Sequence, residues 1–272
     1  MSGGPLRVGR ISALNMYPVY HHLAAAARPD LAFTDGLPTT LNRELLEGRL
    51  DVSAVSSIAY ARNAADLALL PVASIAASGA VDSIQLFSRV PFERVRTVAV
   101  TPHSATSVTL LRILLGRRAQ PFRPLLEPPV RALAHVDGVL LIADEALHGL
   151  RDGLGPHHTD LGELWRARTG RPMVFAVWAA RAEAARERPG DLEGLGRLLQ
   201  EAQARYAADP EAVVAAAAAR FPFPKDFVRA YLRRLRYGFG EAERAGLARF
   251  LELARAVGEL DTKPGELPVR AA

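Results

Sequence analysis

Residues 98–115 read VAVTPHSATSVTLLRILL, which sets the hydroxyls of Ser104, Thr106 and Ser107 where an apolar strand gives way to helix-spaced leucines. The first N–H groups of a helix have no partners inside it. Ser or Thr there either caps those groups or joins them in receiving an anion such as a carboxylate. Ser104, Ala105, Thr106 and Ser107 are therefore candidates both for a cap and for an anion cradle, and His103 just before them could assist with its proton. Asp144 follows the strand LLIA, where an N-cap is the default role, and His148 comes one helical turn later. An Asp/His pair at this spacing can move a proton or supply two metal ligands. No third ligand and no HExxH pattern is present, so a metal is not expected.

Further polar residues fall at equivalent places. Asn15 follows ISAL in a turn before Pro18, suited to an Asx turn or to a ligand. Ser56 and Ser57 follow DVSAV; one would cap the next helix, leaving the other, taken as Ser57, to face outward. Ser83 lies in the apolar run AVDSIQLFSRVP, where alternation sends Ser83, Gln85 and Phe87 to one side. Phe175 and Trp178 in MVFAVWAAR could flank a planar ring or pack the core, and Arg181 could pair with a carboxylate of substrate or protein. His157 and His158, in a Gly/Pro-containing loop, read as exposed.

The elements that must position these residues repeat one pattern. LRVGRISALNMYPVYHHLAAA, LDVSAVSSIAYARN, VRTVAVTPHSATSVTLLRILL and DGVLLIADEALHGL each run from strand through a small polar turn into a helix. Such alternation predicts an α/β fold with a largely parallel sheet, whose ligands lie beyond the carboxyl ends of the strands. The runs at 80–91 and 171–181 lack the turn into a helix and read as crossovers between two lobes. The expected layout is residues 1–85 plus 180–272 in one lobe and 86–179 in the other, with a cleft between them that closes through segments near 85–90 and 175–180. After Arg181 the chain reads as helical, and the tail from Lys263 reads as poorly ordered.

The chain has 272 residues, 49% of them apolar, enough for a sizeable core. Without cysteine, disulfides and thiolate chemistry are excluded. No apolar run approaches the length of a membrane span and no secretory leader is recognisable, so a cytoplasmic protein is expected. The net charge of +5 is mild and rich in arginine. The pairs Arg117-Arg118 and Arg233-Arg234 read as solvated helix faces, and nucleic acid is not an expected partner.

GRISALNMYPVY at 9–20, LDVSAVSSIAYA at 50–61, SGAVDSIQLFS at 78–88, TPHSATSVTLL at 101–111, LLIADEAL at 140–147 and DLGELWRARTGRPMVFAVWAAR at 160–181 carry a resemblance. Through them the sequence resembles the chorismate dehydratases of the futalosine route to menaquinone, the family named MqnA. The C-terminal third matches more loosely, around YLRRLRYGFGEAERAGL at 231–247, and reads as scaffolding. The resemblance implies a two-lobe type II periplasmic-binding-protein fold with an interlobe cleft and a helical C-terminal segment. It also implies conversion of chorismate, a dicarboxylate, to 3-[(1-carboxyvinyl)oxy]benzoate and water without a cofactor. On that reading Asn15, Ser83 and Asp144 are the catalytic candidates. Asn15 and Ser83 would orient a carboxylate or the departing hydroxyl. The substrate's own enolpyruvyl carboxylate would take the C3 proton, with Asp144 as the alternative base. Ser57, Ser104, Ala105, Thr106 and Ser107 would bind substrate. Two other functions fit the same fold: a non-catalytic receptor or sensor for small carboxylates, and the dihydroxynaphthoate synthase of the same pathway.

Overall fold

The computed structural model describes residues 4–24 and 28–261; the tail from Lys263 lies outside them. Among the described residues eleven strands form two sheets. The strands are β1 (Leu6–Ile11), β2 (Leu31–Gly36), β3 (Val52–Ser56), β4 (Leu67–Ala77), β5 (Ile84–Ser88), β6 (Val98–Val100), β7 (Arg123–Pro124), β8 (Gly138–Ile142), β9 (His157–Asp160), β10 (Met173–Arg181) and β11 (Leu235–Arg236). The first sheet has the order β11-β4-β10-β3-β1-β2 and the second β7-β6-β8-β5-β9.

All four strand–turn–helix units form. β1 leads through a 3-10 turn, Leu14–Met16, into the helix Tyr17–Ala24. β3, β6 and β8 lead into the helices Ser57–Arg62, Ala105–Leu115 and Ala143–Arg151. β6 and β8 are apolar from end to end, while β1 buries Leu6, Val8 and Ile11 and β3 buries Val52 to Val55, as strands of a parallel sheet covered by helices do. β1, β2 and β3 run parallel to one another, as do β6, β7 and β8. Each sheet also admits one strand that arrives from the other sheet and runs against its neighbours. β5 lies antiparallel between β8 and β9, and β10 lies antiparallel between β3 and β4.

β10 pairs with β4 from Met173 to Arg181, with a bulge at Phe175, and with β3 from Ala176 to Ala180. The crossings are therefore 78–83 and 170–172, before the strands rather than within 85–90 and 175–180, because a strand paired on both sides cannot bend freely. His157 and His158 are exposed but belong to the edge strand β9 rather than to a loop. Trp178 is fully buried with its ring 6.0 Å from that of Tyr20, so it is a core residue.

Each crossing is packed tightly against a helix glycine. A Cβ on Gly162, in the helix Leu161–Thr169, would stand 2.6 Å from the Gly79 carbonyl oxygen, and one on Gly246, in Glu241–Ala256, would collide with the Pro172 carbonyl. Asp160 ties the first crossing further. Its Oδ2 accepts the N–H groups of Val81 (2.9 Å) and Asp82 (2.7 Å) and the Gln85 side-chain amide (2.7 Å). Its Oδ1 caps the Leu161–Thr169 helix through Gly162 and Glu163.

Candidate functional site

A cavity of about 350 Å³ opens between the sheets, within the roughly 300–1,000 Å³ usual for small-molecule sites. From the first sheet, Ser12, Asn15 and Ser56 reach it at strand ends, and Phe175 of β10 lines it. The helix Pro38–Leu46 adds Thr39 and Asn42. From the second come Ser83 at the crossing, the turn His103-Ser104-Ala105 with Ser107, and Asp144 with Glu145. Among the described residues no Arg or Lys lines the cavity. Polar recognition there falls to hydroxyls, amides, two carboxyl groups, His103 and the starts of the helices Pro38–Leu46, Ala105–Leu115 and Ala143–Arg151.

Three polar atoms on this wall are buried without a hydrogen-bond partner among the described residues: Asn15 Oδ1, Asn42 Oδ1 and Ser56 Oγ. A buried polar atom left unpaired costs about 1–3 kcal/mol. Three on one cavity mark a surface whose partners come from what enters it.

The hydroxyls divide in a way the sequence left open. Ser56, not Ser57, reaches the cavity, while Ser57 is fully buried and donates to the Val174 carbonyl at 2.7 Å. Ser56 is the last residue of β3 and makes no cap bond, so its hydroxyl points past the strand end. Thr106 also turns away, as successive helix positions differ by about 100°. Its Oγ1 accepts the Ile58 N–H at 3.1 Å, at the start of the Ser57–Arg62 helix. Ser104 is the N-cap of its own helix, accepting the Ser107 N–H at 3.2 Å, and its hydroxyl donates to Ser107 Oγ at 2.8 Å.

Asp144 stands two residues beyond the N-cap Ile142 rather than at the cap. Between them Ala143 has φ 49°, a left-handed conformation costing a residue with a Cβ about 1–2 kcal/mol. Its N–H donates to the Ser83 carbonyl at 2.8 Å, and the turn brings Asp144 onto the cavity wall. Asp144 Oδ1 accepts the Leu14 N–H from the other sheet at 3.4 Å. Burial pushes its carboxyl above the ordinary carboxylate range, while the Leu14 N–H and nearby His148 pull it back. His148 does not line the cavity; its ring stacks on Phe223 with centroids 4.7 Å apart. Arg181 lies away from the cavity and pairs with Glu183.

Two contributions come from segments that read only as scaffolding or were not singled out. Tyr237 donates its hydroxyl to the Asn15 carbonyl at 2.9 Å, fixing that turn from the C-terminal third. Asn42 follows a Leu37-Pro38 helix start, and that proline at the first helical position was the available signal.

A family model described as menaquinone biosynthesis matches residues 6–256. A chorismate dehydratase of Thermus thermophilus is 34% identical over 273 residues, covering 91% of this chain and 94% of the relative. A chorismate dehydratase of Campylobacter jejuni is 28% identical over 174 residues, covering 62% of this chain and 64% of the relative. Among solved structures, a protein of Archaeoglobus fulgidus superposes with TM-score 0.75 at 18% identity, covering 93% of this chain and 98% of that one. The periplasmic aliphatic sulphonate binding protein SsuA of Escherichia coli superposes with TM-score 0.65 at 17% identity, covering 94% of each chain. These likenesses show a periplasmic-binding-protein-like fold.

Proposed function

Because the chain belongs to the chorismate dehydratase family of menaquinone biosynthesis, we propose that it removes water from chorismate to give 3-[(1-carboxyvinyl)oxy]benzoate in the cavity between its two sheets. The observation that carries this beyond family membership is the cavity wall, where Asn15, Asn42 and Ser56 present buried unpaired atoms beside the starts of three helices.

The substrate explains why neutral groups suffice. The C3 hydrogen of chorismate is one double bond removed from the ring carboxylate, so its removal spreads negative charge onto that carboxylate. Loss of the C4 hydroxyl then makes the ring aromatic. Preorganised hydroxyls and N–H groups stabilise such charge without reorganising. Ser104, Ala105 and Ser107 hold one carboxylate at the Ala105–Leu115 helix start. Ser56 takes the place expected of Ser57, and Thr106 acts through the Ser57–Arg62 helix rather than on substrate. Asn15 and Ser83 orient the enolpyruvyl carboxylate, which takes the C3 proton, or the departing hydroxyl.

A cofactor-free reaction is part of the proposal, since the substrate itself absorbs the charge; turnover surviving exhaustive dialysis against a chelator tests it. So is a cytoplasmic location; no helix among the described residues is long and apolar enough to cross a membrane. The deciding experiment incubates purified protein with chorismate and follows loss of water by mass. Chorismate surviving at enzyme concentrations near its own overturns the assignment, and binding without turnover makes the protein a carboxylate receptor.

A further inference from the structure

We propose that Asp144 works as a neutral carboxylic acid that hands its proton to the hydroxyl leaving C4, making it the acid of the dehydration rather than its base. The proposal rests on the reaction assigned above. Three observations lead to it.

The first is placement. Ala143 holds a left-handed turn, and its N–H is tied to the Ser83 carbonyl, so Asp144 and Ser83 are delivered to one wall as a pair. The second is the state of the carboxyl. Oδ1 has one long hydrogen bond, from Leu14, and Oδ2 has none among the described residues. The third is the charge around it. Glu145 and His103 share the cavity wall, His148 one turn on is stacked on Phe223, and Tyr231 is buried on the neighbouring helix Lys225–Leu232. No Arg or Lys lines the cavity among the described residues. A dianionic substrate entering this space meets a like charge if Asp144 is ionised, and the repulsion is relieved when Asp144 takes up a proton.

The proton then has a use. Hydroxide is a poor leaving group. In the proposed sequence the C3–H bond breaks and the enolpyruvyl carboxylate takes the proton, while the electron pair spreads onto the ring carboxylate. The C4–O bond breaks next, the oxygen takes the Asp144 proton, and water leaves as the ring becomes aromatic. The enolpyruvyl carboxylic acid returns its proton to the Asp144 carboxylate, so the protein ends as it began.

The test begins with turnover of chorismate by the unaltered protein; if there is none, the reaction assignment fails and this role is excluded with it. Given turnover, Asp144→Asn keeps the acceptor for Leu14 but carries no transferable proton. It should lower kcat by about 10²–10⁴-fold while still binding the product, measured by calorimetry. In the unaltered protein, product affinity should be highest at low pH. It should fall by up to tenfold per pH unit as pH rises from the pKa of free Asp144 to that of the complex, because binding takes up one proton. In Asp144→Asn that dependence should vanish. The role is overturned if the variant turns over within a few-fold of the unaltered protein, or if product affinity of the unaltered protein is independent of pH. It is equally overturned if the dependence persists in the variant, which assigns it to His103 or Glu145. A kcat/KM that rises with pH through the Asp144 titration makes the residue a base. If the variant folds poorly, pH-independent product affinity of the unaltered protein still overturns the role.

Discussion

Thr106 and Ile58 join the two sheets beside the cavity: the threonine Oγ1, on a helix of the second sheet, accepts the N–H that begins a helix of the first at 3.1 Å. Both groups are buried. Thr106→Val keeps the shape and leaves the Ile58 N–H unpaired, so stability in urea should fall by about 1–3 kcal/mol, while product binding by the folded variant stays within a few-fold. A large loss of affinity with unchanged stability would return this hydroxyl to the substrate.

Asn42 presents the opposite balance. Its buried Oδ1 lacks a partner among the described residues and lies on the cavity wall. Replacing it by Leu removes an unpaired acceptor, so thermal stability should hold or rise while product affinity drops about tenfold, the worth of one hydrogen bond of about 1.4 kcal/mol. Affinity that survives the substitution assigns Asn42 Oδ1 to bound water alone.

Asp160 gathers five donors, at the first crossing and at a helix start. Asp160→Ala leaves them unpaired in a buried place and should cost about 3–5 kcal/mol. Urea unfolding reads this directly, and a loss under 1 kcal/mol would show that the crossing is held by its strand pairing instead.

Closure is the prediction that most depends on where the crossings lie. With bending confined to 78–83 and 170–172, we propose lobes of residues up to about 80 plus those from about 172, and of the stretch between. Solution scattering should give a more compact particle with product than without, and identical curves would exclude closure. Gly246→Ala pushes a Cβ into the Pro172 carbonyl at the second crossing. It should destabilise by about 1–3 kcal/mol, measured by thermal unfolding, because a backbone carbonyl cannot swing aside as a side chain can.

The four strand–turn–helix units were legible because each couples a strand of mostly buried residues to small polar residues and then to helical spacing. β2 was not, because it is a half-exposed edge strand without clean alternation. β4 contains Pro71, which argues against a central strand; the structure admits it at a register shift, where Val177 pairs with Ser74 but Trp178 with Leu70. At the site, Asn15, Ser83, Ser104, Ala105, Ser107 and Asp144 all reach the cavity, and Ser57 and Thr106 do not. The strand ends could be read from pattern alone. Which of two adjacent hydroxyls faces inward could not, since it depends on the angle at which a helix leaves its strand and on what packs behind it. Asn42 was hidden for a related reason: its helix reaches the cavity through tertiary packing, with no local motif.

The position of β10 between β3 and β4 bears on how the chain is made. As it emerges from the ribosome, residues 6–77 supply four strands of the first sheet, yet two of them, β3 and β4, are not neighbours and wait for a strand more than ninety residues later. The second sheet, by contrast, is drawn from one continuous run, 84–160, and can be complete first. Until Arg181 has emerged, β3 and β4 keep open edges facing a vacant slot, the kind of edge through which chains pair with the wrong partner. The half of the protein begun first is thus finished last, and its period of greatest exposure to aggregation is set by the time needed to synthesise the other half.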